Sequence, residues 1–94
     1  MFAVTVTFVL KPECFDAFLP LMLANAAKSK ELEPGCRQFD VCVGDDQSIF
    51  LYEIYDSTEA FEAHLQSEHY KSFDRATAAL METKTVHQFR QVIQ

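Results

Sequence analysis

"SIFLYEIY", residues 48–55, is the stretch on which the fold turns. It reads as a strand of period two, with Ile49, Leu51, Glu53 and Tyr55 on one face and Phe50, Tyr52 and Ile54 on the other. Both faces are apolar, so both need cover. Just upstream, "CRQFDVCV" (36–43) is a second strand, and "GDDQ" between them has the chemistry of a hairpin loop. At the N-terminus, "FAVTVTFVL" (2–10) alternates Phe2, Val4, Val6, Phe8 and Leu10 against Ala3, Thr5, Thr7 and Val9, and its β-branched content favours a strand.

Between the first two strands, Phe15, Phe18, Leu19, Met22, Leu23 and Ala26 recur at helical spacing and form one apolar face. Pro12 suits the first turn of that helix. Pro20 predicts a kink, because an interior proline removes a hydrogen bond at a cost of ~3 kcal/mol. "EPG" (33–35) ends the segment. Asp56 to Thr58 offers N-caps for a helix through about Leu65, with Glu59 three residues after Asp56. Ser67 caps a further helix expected to run to about Glu82, and "TVHQFRQVI" (85–93) reads as the last strand.

The order β-α-β-β-α-α-β is that of an α+β, ferredoxin-like split βαβ unit, here a single domain over 1–94. One layer of helices covers one face of such a sheet. Nothing in the chain is left to cover the other side of "SIFLYEIY", so a homodimer packed through sheet faces is expected.

Composition narrows the function classes. Nearly half the residues (49%) are hydrophobic, with nine Phe, two Gly and three Pro, which belongs to a packed chain rather than a disordered one. A net charge of −6 with scattered Lys and Arg provides no patch to replace phosphate counterions, so no nucleic-acid partner is expected. No apolar run approaches the ~20 residues of a membrane span, and no basic leader precedes the first strand; no membrane partner and no signal peptide are expected. Cys14, Cys36 and Cys42 lack C-x-x-C spacing, and Cys36 and Cys42 would lie roughly 20 Å apart along one strand. They read as free thiols in a reducing cytoplasm.

Against that background a few polar residues stand on apolar faces. Asn25 and Ser29 extend the stripe of the first helix. A buried amide without partners costs ~1–3 kcal/mol, so Asn25 is either tethered to backbone or a donor into a pocket. Glu53 shares its face with Ile49 and Leu51, where desolvation raises a carboxyl pKa; Arg37 or Arg90 would be its structural partner. His64 lies beside Phe61 and Leu65, on a helix that packs back over the strand carrying Glu53. A carboxylate–imidazole pair in an apolar pocket is a general base. His69, with Phe73, Ala76 and Leu80, faces inward on the next helix, and His87 reads as structural. His64 and His69 lack the i, i+4 spacing of a zinc helix, and with Glu53 they would form a triad only by accident of folding, so no metal is expected.

"EPGCRQFDV" followed by "YEIYDSTEAFEAHLQSEHYKSF" resembles the antibiotic biosynthesis monooxygenase (ABM) family: an E-P-G turn, a glutamate on the third strand, and A-H-x-x-S-x-H-aromatic after it. The resemblance extends over nearly the whole chain. It implies a ferredoxin-like dimeric α/β barrel with a substrate pocket between helices and sheet. Asn25, Glu53 and His64 match polar pocket residues, with Ser29, Tyr55 and His69 nearby; Met22 and Phe73 are expected beside them as substrate contacts. Relatives of this kind include quinol monooxygenases that use no cofactor. On that pattern His64 is the base, Glu53 orients it and Asn25 bonds the substrate oxygen. Some polyketide-oxidising and haem-degrading relatives use a Trp, which this chain lacks. A second branch isomerises a small phosphorylated ketone and would need cations such as Lys28 or Lys71, but this chain has Ala26 where that branch resembles a histidine-bearing pattern. A non-catalytic dimeric domain that binds a small ligand is the third reading.

Overall fold

A computed structural model describes all residues, 1–94. The elements are β1 (Phe2–Leu10), α1 (Phe15–Leu32), β2 (Cys36–Val43), β3 (Ile49–Tyr55), α2 (Thr58–Gln66), α3 (Glu68–Thr77), a 3₁₀ turn (Ala78–Leu80) and β4 (Met81–Phe89). The strands form one sheet in the order β2-β3-β1-β4 with every pairing antiparallel. This is the α+β, ferredoxin-like arrangement expected from the element order.

The alternation of β1 decides what each face does. Phe2, Val4, Val6 and Phe8 are buried, and the register places Tyr55, Glu53, Leu51 and Ile49 of β3 beside them. Onto this face α1 lowers Phe18 and Met22, α2 lowers Phe61 and α3 lowers Phe73. Aromatic rings lock the layer: Phe8 lies 5.1 Å from Phe18, which meets Phe73 edge-on at 5.6 Å. On the opposite face, Val9, Phe50 and Phe89 remain largely exposed.

Several boundaries differ from the sequence expectation. Pro12 lies in a turn before α1, where Glu13 takes a left-handed φ of 67°, rather than inside the helix. The helix continues through Pro20; both Pro20 and Asp16, whose carbonyl loses its partner, are exposed, so water can satisfy the carbonyl. The buried stripe of α1 is Phe18, Met22, Asn25, Ala26 and Ser29, while Leu23 is 49% exposed. The stripe therefore turns toward the polar pair and away from Leu23. Ser57, not Asp56, caps α2, accepting from the Ala60 amide, so Glu59 completes no capping box. The last helix ends at Thr77 and β4 begins at Met81, four residues earlier than expected, because the whole length of β1 from Ala3 to Leu10 is available for pairing.

Candidate functional site

The three helices cover β2, β3 and β1, and leave the helix-facing side of β4 open. There a cavity of about 290 Å³ is enclosed mainly by apolar side chains, among them Val4, Val6, Met22, Phe39, Leu51, Phe61 and Phe73. Asn25, Glu53, His64, Tyr70, Lys84 and Gln88 are the polar side chains that reach it. Few and convergent polar groups in an apolar cleft mark a small-molecule site.

His64 is buried, at 3% exposure, on the inner face of α2. Its backbone carbonyl is held by Ser67, whose hydroxyl donates to it at 2.6 Å while accepting from the Tyr70 amide at 3.2 Å. One serine therefore closes α2 and opens α3. The imidazole is boxed by Tyr70, Tyr55 and Phe39, with ring centroids 5.0, 5.6 and 5.9 Å away. Its Nδ1 donates to Glu33 Oε2 at 2.8 Å, with Ser29 Oγ 3.4 Å from the same nitrogen. A carboxylate can only accept, which assigns the proton to Nδ1 and leaves Nε2 a lone pair. Nε2 has no protein partner and is not sealed from solvent, so it is the ring nitrogen available to the cavity.

Glu33 replaces Glu53 as the partner of His64. It ends α1 at the Glu-Pro-Gly turn, and the same oxygen accepts from His69 Nε2. Burial pushes the Glu33 pKa up, but the hydrogen bonds and charges of His64 and His69 outweigh it, and the carboxyl ends below its ordinary value. Gly35 brings the turn against α2: a Cβ there would lie 2.6 Å from Ala60 Cβ. The Gly35 carbonyl accepts from the Asp56 amide at 2.9 Å, just before α2 begins. The turn is thus a joint that sets Glu33 opposite His64.

Glu53 is more deeply buried than Glu33 and faces the cavity, but its Oε1 accepts from the Tyr55 hydroxyl. Arg37 is engaged with Asp56 instead. Burial holds the Glu53 pKa above the ordinary carboxylate range, with the Tyr55 bond and the His64 charge opposing. The same burial and the neighbouring Glu53 push Tyr55 far up, so it is a fixed donor. Cys36, beneath Glu33 and Glu53, is pushed up to about 11 by burial and by those two carboxylates, and is a protonated packing residue.

Of the expected site residues, Asn25, Glu53, His64, Met22 and Phe73 reach one cavity. Ser29 and Tyr55 do not line it: Ser29 donates to the Asn25 carbonyl at 2.8 Å and Tyr55 braces Glu53. His69 opens instead on a separate cleft of about 100 Å³ between α1 and α3, and reaches the site only through Glu33. Asn25 Oδ1 is buried without a partner, an acceptor waiting for a donor. Lys28 borders the smaller cleft and Lys71 neither; the cation at the main cavity is Lys84. Glu33, Tyr70 and Lys84 are the site residues sequence reasoning missed.

Glu33, His64 and His69 also form a possible metal-ligand set, their donor atoms lying within 4.8 Å of one another. A divalent cation there would take the place of both imidazole hydrogen bonds, with Glu33 where the sequence reading had set Glu53.

The model of the antibiotic biosynthesis monooxygenase family matches residues 1–76, and the chain belongs to that family. Among solved structures, a Nitrosomonas europaea protein assigned to the antibiotic biosynthesis monooxygenases is similar at 25% identity, covering 99% of this chain and 100% of its own, with a TM-score of 0.92. Rv0793 from Mycobacterium tuberculosis is also 25% identical, covering 99% and 96%, with a TM-score of 0.91. PA3566 from Pseudomonas aeruginosa, at 24% identity, 98% and 94% coverage and a TM-score of 0.89, shares the fold. No curated protein matches the chain. No helix is long and apolar enough to cross a membrane.

Proposed function

We propose that the protein is a cofactor-independent monooxygenase for a small quinol or related hydroxyaromatic. The observation that carries this reading is buried His64, which donates Nδ1–H to Glu33 and offers Nε2 to an apolar cavity. In the proposed reaction Nε2 takes the proton of a ring hydroxyl, and the imidazolium is stabilised by Glu33. The resulting electron-rich ring adds O₂ at carbon. The His64 imidazolium returns its proton to the outer peroxide oxygen, and the O–O bond breaks as the ring C–H leaves as a proton, giving a carbonyl and water and restoring the base. Asn25 Oδ1 accepts from a ligand hydroxyl, and the aromatic walls keep water from the peroxide. Glu53 is a second polar wall, braced by Tyr55.

Oxygen uptake by chelator-treated protein with reduced naphthoquinones tests this reading. Uptake well above autoxidation and lost in His64→Ala is expected; no enzymatic uptake with any quinol overturns it. One observation favours a second reading. Lys84 provides a cation at the cavity, as an isomerase of a phosphorylated ketone would need. Turnover of such ketones under nitrogen separates the two, and a wild-type protein that binds these ligands but turns over neither class would be left as a binding domain. The dimer through sheet faces belongs to the same proposal, supported by the exposed apolar residues of the helix-free face.

A further inference from the structure

The geometry points to Lys84 as the residue that selects a substrate carrying an anionic group one aromatic ring away from the hydroxyl that His64 deprotonates. The inference rests on the hydroxyaromatic reading and adds its substrate class: a hydroxyaromatic acid, with a carboxylate as the anionic group.

Lys84 stands on β4 opposite Phe8, on the helix-facing side of the sheet, where it is the one lysine or arginine lining the main cavity. Its Nζ donates to the Tyr70 hydroxyl at 3.2 Å and lies over the Tyr70 and Phe8 rings, 5.5 and 5.8 Å from their centroids. Arg37 and Arg75 are both paired with carboxylates; Lys84 has none as a salt-bridge partner. Two ring faces and a neutral phenol position the ammonium without neutralising it. In a chain of net charge −6, a cation at the rim of an apolar cavity with no salt-bridge partner is a local exception, although its charge reaches Glu53.

The spacing follows from Tyr70. Its ring neighbours both groups, 5.0 Å from the His64 ring and 5.5 Å from the Lys84 ammonium, and so bounds their separation to about the length of a two-ring ligand. A ligand with its hydroxyl at His64 Nε2 and its rings along the apolar wall would bring a substituent on the far edge toward Lys84. Of the carboxylates, Glu33 bonds His64, and Glu53 stands opposite Val4, four residues along β1 from the Phe8 position that faces Lys84, still within electrostatic reach of that lysine. Electrostatics therefore favours one orientation, anion at the rim and hydroxyl inside.

Equilibrium binding of 6-hydroxy-2-naphthoate and 2-naphthol, followed by naphthol fluorescence, tests this without turnover. The wild-type protein is expected to bind the acid at least tenfold more tightly, with a preference that weakens as salt is added. In Lys84→Gln the ratio should fall to near one, and in Lys84→Arg it should persist. Equal binding by the wild type, or a preference that survives Lys84→Gln, overturns the role of Lys84 and leaves the oxygenase reading standing. If neither naphthyl probe binds while dihydroxyacetone phosphate does, in a Lys84-dependent way, the anion site belongs to a phosphorylated ketone and the hydroxyaromatic reading falls. Binding of none of the three overturns both.

Discussion

At the scale of single residues, the carboxylates of half-buried Glu33 and buried Glu53 are tuned in opposite directions. Glu33 sits below its ordinary 4.5 because two imidazoles bond it against the pull of burial, whereas burial holds Glu53 above it. A lowered folded value means Glu33 adds stability that is fully present above pH 4.5 and disappears as pH falls through the folded value. For Glu53 the sign reverses: its ionisation costs stability as pH rises from 4.5 through the raised folded value, and the cost is absent below. Glu53→Gln is therefore expected to raise Tm near neutrality, with the gain vanishing toward pH 4. Glu33→Gln should lower Tm most at neutral pH and least in acid. Thermal unfolding of the two variants from pH 4 to 8 checks this; parallel curves would refute it. In turnover, Glu33→Gln should lower kcat by roughly 10–100-fold with little change in KM, the usual size of effect for a partner that orients an imidazole. An unchanged kcat would remove Glu33 from the reaction.

Elements carry the site because their ends meet there, and this explains what could be read in advance. Strand alternation and helix periodicity located β1, β2, β3, α1 and α2 closely, since each pattern repeats within a few residues. Asn25, Glu53 and His64 were visible as polar interruptions of apolar faces. Glu33 was not: it lies 31 residues from His64 and occupies a turn, where polarity is unremarkable. Lys84 was hidden by the misplaced start of β4, whose Thr83, Lys84 and Thr85 lack an apolar alternation. The element ends can be tested directly. Gly35→Ala places a methyl against Ala60, and overpacking of that kind costs about 1–3 kcal/mol. It should also lower kcat by moving Glu33 from His64. Ser67→Ala removes the hydroxyl shared by α2 and α3 and should cost about 1 kcal/mol in urea unfolding. Wild-type stability in both variants would show that neither joint holds the helices.

At the scale of the whole molecule, the helices cover one face of the sheet, and on the other only Ala3 and Ile54 are buried. The helices bury Val4, Val6 and Phe8, while Val9 at 43%, Phe50 at 41% and Phe89 at 49% exposure remain on the other face with Tyr52 half-buried among them. Large aromatic side chains on a strand face bring no benefit to a monomer in water, and exposed apolar side chains set among Thr5, Thr7 and Thr85 on this face suit an interaction surface. A two-fold partner offers the same surface back, so each Phe50 would be covered by its copy's sheet, in an interface of about 1,600 Å² if it is of standard size. The expected species in sedimentation equilibrium is a dimer across the micromolar range. Phe50→Glu puts a charge into that contact and should yield a monomer with an unchanged far-ultraviolet circular dichroism spectrum, because Phe50 contributes nothing to the helix-covered core. A wild-type protein that sediments as a monomer would mean that this face meets water alone. A Phe50→Glu variant that remains dimeric would place the contact elsewhere on the surface.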